Sequence, residues 1–226
     1  MKYIEDKNIR AVLFDLDGTL TDPAEGIIGG VRHALVSAGL PVPDRATLES
    51  FIGPPLIAQF TAVCGVTEPQ ARALLSAYRD YFVPRGMWEN RVYPGIPDML
   101  DALHTAGMTC AVATSKPEPF AVQILDHFGL SSRFACICGS TLDETRTGKD
   151  AVITYALSRL SAAPADAVMV GDRCYDVQGA KACGLPCIGV LYGYGSREEL
   201  CAAGAAALAA SPEQLTALLT ADTGEF

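Results

Sequence analysis

Residues 10–19 read Arg10-Ala11-Val12-Leu13-Phe14-Asp15-Leu16-Asp17-Gly18-Thr19. An apolar run that does not alternate and that stops at Asp-x-Asp-Gly is the pattern of a strand buried on both faces, as in parallel sheets covered by helices. Comparable runs recur at 108–114, 134–138, 167–171 and 187–191, and helix-length segments at 95–106, 119–128, 149–160 and 176–183 lie between them. Strand and helix in alternation predict an α/β fold with a doubly wound parallel sheet. In such sheets the ligand crevice lies outside the carboxyl ends of the strands, so polar residues at strand ends are the first candidates for chemistry.

The interval from Thr19 to the strand at 108 breaks this rhythm. It is far longer than one crossover helix requires, and a structureless loop of that length is improbable in a compact domain. It carries its own helical periodicity at 26–38, 56–64 and 69–83 and closes on the turn signal Tyr93-Pro94-Gly95. The expected organisation is a Rossmann-like core, 1–20 plus 93–226, with a small all-helical cap inserted at 21–92 and seated over the strand ends.

Composition narrows the class. In 226 residues, 50% are apolar and mean hydropathy is +0.23, which excludes a disordered or fibrous chain. Seventeen Lys and Arg against 26 Asp and Glu give a net charge of −9, which disfavours nucleic-acid binding. No apolar run is long enough to span a membrane, and the first ten residues lack a leader pattern. Eight cysteines without a C-x-x-C pair read as small buried hydrophobes in a reducing compartment, rather than zinc ligands or a disulfide framework. The expectation is a cytoplasmic monomer or homodimer.

Asp15 and Asp17 stand at the end of the first strand, and Gly18 lets the backbone turn at once. Two close carboxylates repel unless a cation lies between them or one keeps its proton. Val170-Gly171-Asp172-Arg173-Cys174-Tyr175-Asp176 sets a second pair after another buried strand, four residues apart and so on one face of a starting helix. Either Asp of this pair alone is an ordinary helix cap. Both pairs together supply three or four oxygen ligands, a set suited to octahedral Mg²⁺. Thr114-Ser115-Lys116 ends another strand, and Lys149 begins a helix after a Gly-containing loop. Hydroxyl, ammonium, metal and nucleophilic carboxylate are the parts that hold a phosphoryl group and neutralise it in transfer.

Asp15-Leu16-Asp17-Gly18-Thr19, Thr114, Lys149 and Gly171-Asp172 with Asp176, in that order, resemble the four motifs of the haloacid dehalogenase superfamily. The resemblance covers essentially the whole chain and points to the phosphatase branch with a helical cap. Segments 21–27, 51–56 and 93–96 also resemble phosphoglycolate phosphatase-like and 5′-nucleotidase-like members.

The resemblance implies that Asp15 attacks phosphorus to form an aspartyl-phosphate and that Asp17 serves as general acid and base. It implies a Mg²⁺ site made by Asp15, Asp172, Asp176 and the backbone carbonyl of Asp17. Thr114 would donate to a phosphoryl oxygen and Lys149 would bridge phosphate and Asp15. Thr19, Ser115, Lys116, Gly53 and Leu56 are the substrate-binding candidates, the last two from the Gly-Pro-Pro-Leu loop of the cap. The cap cations Arg32, Arg45, Arg79, Arg85 and Arg91 read as solvated helix-face charges.

The implied function is Mg²⁺-dependent hydrolysis of a small phosphorylated metabolite. Dehalogenase relatives lack an acid at the position of Asp17, and phosphonate-cleaving relatives need a cap Lys. No Lys lies between Lys7 and Lys116. A phosphomutase of the beta-phosphoglucomutase kind is the alternative within the family. A receiver-like phospho-Asp signalling module is disfavoured because receivers place acidic residues early and the phospho-Asp later. A phosphate-binding protein without catalysis is disfavoured by the presence of both Asp15 and Asp17.

Overall fold

The computed structural model describes residues 9–143 and 145–221. β1 (Ala11–Phe14) comes first, and the chain then turns through β2 (Thr21–Asp22). Next come α1 (Ala24–Ser37), α2 (Arg45–Glu49), α3 (Leu56–Cys64), α4 (Glu68–Phe82), a 3-10 turn at Gly86–Trp88 and β3 (Arg91–Val92). The remainder alternates. It contains α5 (Ile96–Thr105), β4 (Thr109–Pro117), α6 (Glu118–His127), β5 (Ile137–Ser140), α7 (Lys149–Leu160) and β6 (Ala167–Gly171). It ends with α8 (Cys174–Ala182), β7 (Cys187–Val190), α9 (Arg197–Ala203), β8 (Ala207–Ala209) and α10 (Pro212–Thr220).

Six strands form one sheet in the order β5-β4-β1-β6-β7-β8, and each neighbouring pair is parallel. Val12, Leu13, Phe14, Val168, Met169 and Val170 are all fully buried, which explains why these strands are apolar at every position. Each such side chain contributes about 1.5–3 kcal/mol relative to exposure. From β1 the chain moves to β4 on one side and later returns to β6 on the other. The order therefore reverses at β1, and Phe14 lies level with both Val112 and Val170. A reversal of this kind opens a crevice at the carboxyl end of the strand on which it occurs.

The chain separates into two compact units: Thr21–Arg91, and the remainder up to Leu20 and from Val92 onward. Within the first of these, Ile27, Ile28, Val31 and Leu35 of α1 and Leu74, Tyr78 and Phe82 of α4 are buried. The Tyr78 ring lies against Gly30, 2.7 Å from where a Cβ would stand, so a side chain there would push the two helices apart. The Tyr78 and Phe82 rings stack at 5.1 Å. Arg91 and Asp22, from the two short strands, form an ion pair at 2.6 Å.

Several boundaries differ from the sequence expectation. β4 runs three residues beyond 114 because Pro117 remains level with Ser140 of β5. The strand expected at 134–138 is displaced toward its carboxyl end: Ala135 N–H already donates to Cys110 O, but the regular strand is Ile137–Ser140. The helix expected at 176–183 starts two residues earlier, at Cys174. β2, β3, β8, α2, α9 and α10 had no counterpart in the pattern, and the insert expected to be all-helical opens and closes on the short strands β2 and β3. The Ala-rich run around 207–209 becomes a strand because it pairs with Ile188–Val190, a long-range contact that local periodicity does not encode.

The eight cysteines are free thiols, four of them (Cys110, Cys136, Cys138 and Cys187) buried. Among the described residues, no helix is long and apolar enough to cross a membrane.

Candidate active site

Asp15 follows β1 and is 4% exposed, and its own N–H donates to Val170 O at 2.9 Å. Leu16 points into the core, and Asp17 next to it is again buried. Gly18 has φ 83°, a conformation that favours glycine, and Leu20 N–H closes the turn onto Leu16 O at 2.9 Å. The turn directs two carboxylates two residues apart into different surroundings. Asp17 Oδ2 pairs with Lys116 Nζ at 2.8 Å, while its Oδ1 is buried without a hydrogen-bond partner. Burial raises the Asp17 pKa, and Lys116 opposes this without cancelling it.

Asp172 follows β6, and Asp176 lies in the first turn of α8. Oxygens of Asp15, Asp172 and Asp176 all lie within 4.8 Å of one another. One cation, Lys149 at the first position of α7, is held among them. Its Nζ is 2.9 Å from Asp15 Oδ1, 2.6 Å from Asp176 Oδ1, and donates to Ala113 O at 3.0 Å. The contact to Asp15 is an ion pair, and Asp15 Oδ1, like Asp17 Oδ1, is buried without a hydrogen-bond partner. Burial opposes charge on Lys149, but Asp15 and Asp176 prevail and raise its pKa.

Asp176 is a helix cap and an ion-pair partner at once. Its Oδ2 accepts Arg173 N–H at 3.0 Å as a helix cap, and its Oδ1 meets Lys149. Burial raises Asp176 to about 6, with Lys149 opposing and Asp15 reinforcing the shift. Burial, then the charges of Asp176 and Asp15, hold Asp172 well above the usual carboxylate range. Three crowded carboxylates and one ammonium leave negative charge in a desolvated place. That charge excess and the all-oxygen donor set fit a hard divalent cation.

The expected residues divide by location. Thr114 is buried within β4, three residues before its end, and its Oγ1 accepts Lys116 N–H at 3.2 Å, which leaves its own proton to donate. Ser115 is half-buried beside it. Thr19, expected to bind substrate, is fully buried and directs its hydroxyl to Asp172 Oδ1 at 3.3 Å. Lys116, also expected at the substrate, pairs with Asp17. The Asp17 side chain lies outside the three-carboxylate cluster. Gly53 (φ 105°) and half-buried Leu56, the first residue of α3, belong to the other compact unit.

Two groups of supporting residues went unread in the sequence. Arg146 pins the loop that delivers Lys149: its Nε donates to Gly139 O at 2.9 Å, its Nη2 meets Glu118 at 2.8 Å, and its guanidinium lies 3.9 Å over the Tyr155 ring. The segment after β7 wraps Asp172, and Tyr194 N–H donates to Asp172 Oδ2 at 2.8 Å. Nearby, the Tyr192 hydroxyl is buried without a partner, and its ring meets Tyr93 edge-on at 5.2 Å. Gly-Tyr-Gly after a strand was the available signal, but it carries no chemistry of its own.

Comparison with known proteins agrees with this geometry. The model of the family described as haloacid dehalogenase-like hydrolase matches residues 12–190. The chain is 48% identical over 189 residues to a 5′-nucleotidase of Pseudomonas aeruginosa, an alignment covering 84% of this chain and 86% of that protein. It is 45% identical over 184 residues to tyrosine-protein kinase PtkA of Mycobacterium tuberculosis, covering 81% of this chain and 62% of that one. Identity to phosphoglycolate phosphatase of Salmonella paratyphi A is 30% over 220 residues, 86% of each chain. Among solved structures, a predicted phosphatase from Clostridium acetobutylicum superposes with a TM-score of 0.90 at 47% identity, covering 92% of this chain and 96% of that one. With the reversal at β1, the four-motif residues gathered there and a family match over most of its length, the chain belongs to the haloacid dehalogenase-like hydrolase family.

Proposed function

We propose that the protein is a Mg²⁺-dependent phosphatase acting on a small phosphomonoester, with a nucleoside monophosphate as the leading substrate class and phosphoglycolate as the second. The observation that carries this reading is the meeting of Asp15 with Lys149, Asp172 and Asp176 at the end of β1, with Asp17 held on Lys116 beside them. The order of substrate classes follows the higher identity to the 5′-nucleotidase than to the phosphoglycolate phosphatase.

In this mechanism Asp15 attacks phosphorus, the bond to the ester oxygen breaks, and the phosphoryl group rests on Asp15. Asp17 gives its proton to the departing alkoxide and then takes one from the water that hydrolyses the acyl phosphate. Its raised pKa favours the protonated form that the first step requires. Thr114 offers its free proton to a phosphoryl oxygen. Lys149 fixes Asp15 against Asp176, neutralises part of their charge and would bridge Asp15 to the phosphate. Asp15, Asp172, Asp176 and the Asp17 carbonyl would hold Mg²⁺, which supplies positive charge against the phosphoryl oxygens.

The test is phosphate release from nucleoside monophosphates, phosphoglycolate and hexose phosphates, each with and without Mg²⁺. Release that requires Mg²⁺ and favours nucleotides supports the proposal. A hexose phosphate isomerised without free phosphate would establish the mutase instead. No phosphate from any ester with Mg²⁺ present would remove the hydrolase reading.

A further inference from the structure

We propose that segment 192–199, with Glu199 as its anchor, is a positioning strap for Asp172 that sets how tightly the divalent cation is held. This rests on the Mg²⁺ reading above and extends it to residues outside the four motifs.

Both Asp172 oxygens are engaged from the protein side. Tyr194 N–H reaches Oδ2 at 2.8 Å and Thr19 Oγ1 reaches Oδ1 at 3.3 Å. A carboxylate held at both oxygens cannot rotate, yet each oxygen keeps a second lone pair for a ligand. Ligating carboxylates held by such outer partners bind metal more tightly, and loss of those partners typically costs 10–100-fold in affinity or activity.

The strap is also in van der Waals contact with the residue it orients. A Cβ on Gly193 would overlap Gly18 O and the Asp172 side chain, and one on Gly195 would overlap Asp172 O. Neither glycine has a positive φ, so close approach rather than backbone conformation demands them. A simple surface turn after β7 would not need two bare Cα atoms against one carboxylate residue.

Glu199 fixes the far end. Its Oε1 accepts Cys174 N–H at 2.9 Å and Arg173 Nε at 3.0 Å. Those two residues lie between Asp172 and Asp176, so the strap holds the backbone joining two of the three clustered carboxylates. The Ser196 hydroxyl accepts Glu199 N–H at 3.1 Å and fixes the start of the helix from which Glu199 projects. One end of the strap orients the Asp172 carboxylate and the other holds the turn on which Asp172 and Asp176 sit.

The experiment is calorimetric titration of the metal-free full-length protein with Mg²⁺, together with the Mg²⁺-induced rise in melting temperature, for wild type, Gly193→Ala, Glu199→Ala and Glu199→Gln. Gly193→Ala is expected to weaken Mg²⁺ binding by about tenfold or more and to shrink the Mg²⁺-induced thermal shift accordingly. Glu199→Ala should weaken it in the same direction, whereas Glu199→Gln keeps the oxygen acceptor and should recover most of the affinity. At saturating Mg²⁺ the variants should regain more of their kcat than at low Mg²⁺. Should Gly193→Ala not fold, the two Glu199 variants carry the test. Unchanged Mg²⁺ affinity in folded Glu199→Ala, or a Glu199→Gln loss equal to that of the alanine variant, would overturn the strap while leaving the metal reading intact. Wild type that takes up no Mg²⁺ would overturn the metal reading itself.

Discussion

The two compact units treat charge in opposite ways. In the unit built on the six-stranded sheet, Asp15, Asp17, Lys116, Lys149, Asp172 and Asp176 are all buried. In Thr21–Arg91, charges meet at the surface: Arg45 with Glu25 and Glu49, Arg72 with Glu68, and Arg85 with Glu89, mostly at i,i+4 spacing on helices. Withdrawing an ion from water costs several kcal/mol even after relaxation, and mutual attraction offsets this only in good geometry. The sheet unit accepts that cost six times within one crevice, where buried carboxylates can act on phosphorus and hold a cation. The insert withdraws little of its charge, chiefly Asp22, whose partner Arg91 stays exposed, and its packing rests on Tyr78, Phe82 and their neighbours.

The largest effect should come from Asp15, the group that attacks phosphorus in the proposed mechanism. Asp15→Asn is nearly isosteric and should fold, yet turnover should fall by at least about a thousandfold because an amide does not attack phosphorus. Steady-state kinetics on the best substrate, with circular dichroism as the fold control, measure this. Activity within tenfold of wild type would end the assignment of Asp15.

Lys149→Met should act on rate and stability together. It removes the ammonium that pairs Asp15 and Asp176 and leaves two buried carboxylates facing each other. Losing one member of a buried pair typically costs about 3–5 kcal/mol. Denaturant unfolding should show a loss of that order without Mg²⁺, and added Mg²⁺ should restore part of it. kcat/KM should fall by a similar factor for every ester. A change confined to one substrate would place Lys149 at the specificity site instead.

The third effect is a pH dependence of sign opposite to the usual one for an ion-paired carboxylate, because burial of Asp176 outweighs its pairing with Lys149. Asp176 is raised to about 6 from 3.8. Between those values the folded, metal-free protein binds more protons than the unfolded chain, so this group's contribution is intact at low pH and is lost as pH rises through about 6. Mg²⁺ requires the ionised carboxylate, so its affinity should rise over the same interval, by up to about tenfold per pH unit below 6. Thermal melts from pH 4 to 8 with and without Mg²⁺ test both signs. Parallel curves would mean that Asp176 does not titrate in the metal site.

How much of this was legible depends on the range of the information. Local pattern sufficed for β1 and β6, because strands buried on both faces are apolar at every position, and for Asp15, Asp172 and Lys149, which stand where such runs end or a helix begins. It sufficed for α3 and α7 to the residue. It did not suffice for β8, which is a strand only through Ile188–Val190. Nor could it show that Thr19 would serve Asp172, 153 residues away. Gly193 and Gly195 were the least legible of all, since what they contribute is the absence of a side chain against a distant carboxylate.

In the insert, Leu56 and Arg45 sharpen the comparison at its quiet end. Leu56 is half-buried while Phe60, one turn along α3, is fully buried, so Leu56→Ala should cost little stability. If the insert chooses the substrate, that variant should reorder the kcat/KM values of the ester panel by several-fold, and an unchanged order with a lowered melting temperature would return Leu56 to packing alone. Arg45 is the smallest case. Its guanidinium meets Glu25 at 2.8 Å and Glu49 at 2.9 Å, but its side chain is 60% exposed and water competes for every contact. Exposed pairs of this kind contribute little, and salt screens what they contribute. Arg45→Ala should therefore move the melting temperature by no more than about 2 °C, less in high salt, and should leave kcat/KM for each ester where it was. A drop in kcat/KM for anionic substrates alone would show that an insert charge takes part in binding, and the division of labour between the two units would have to be redrawn at that residue.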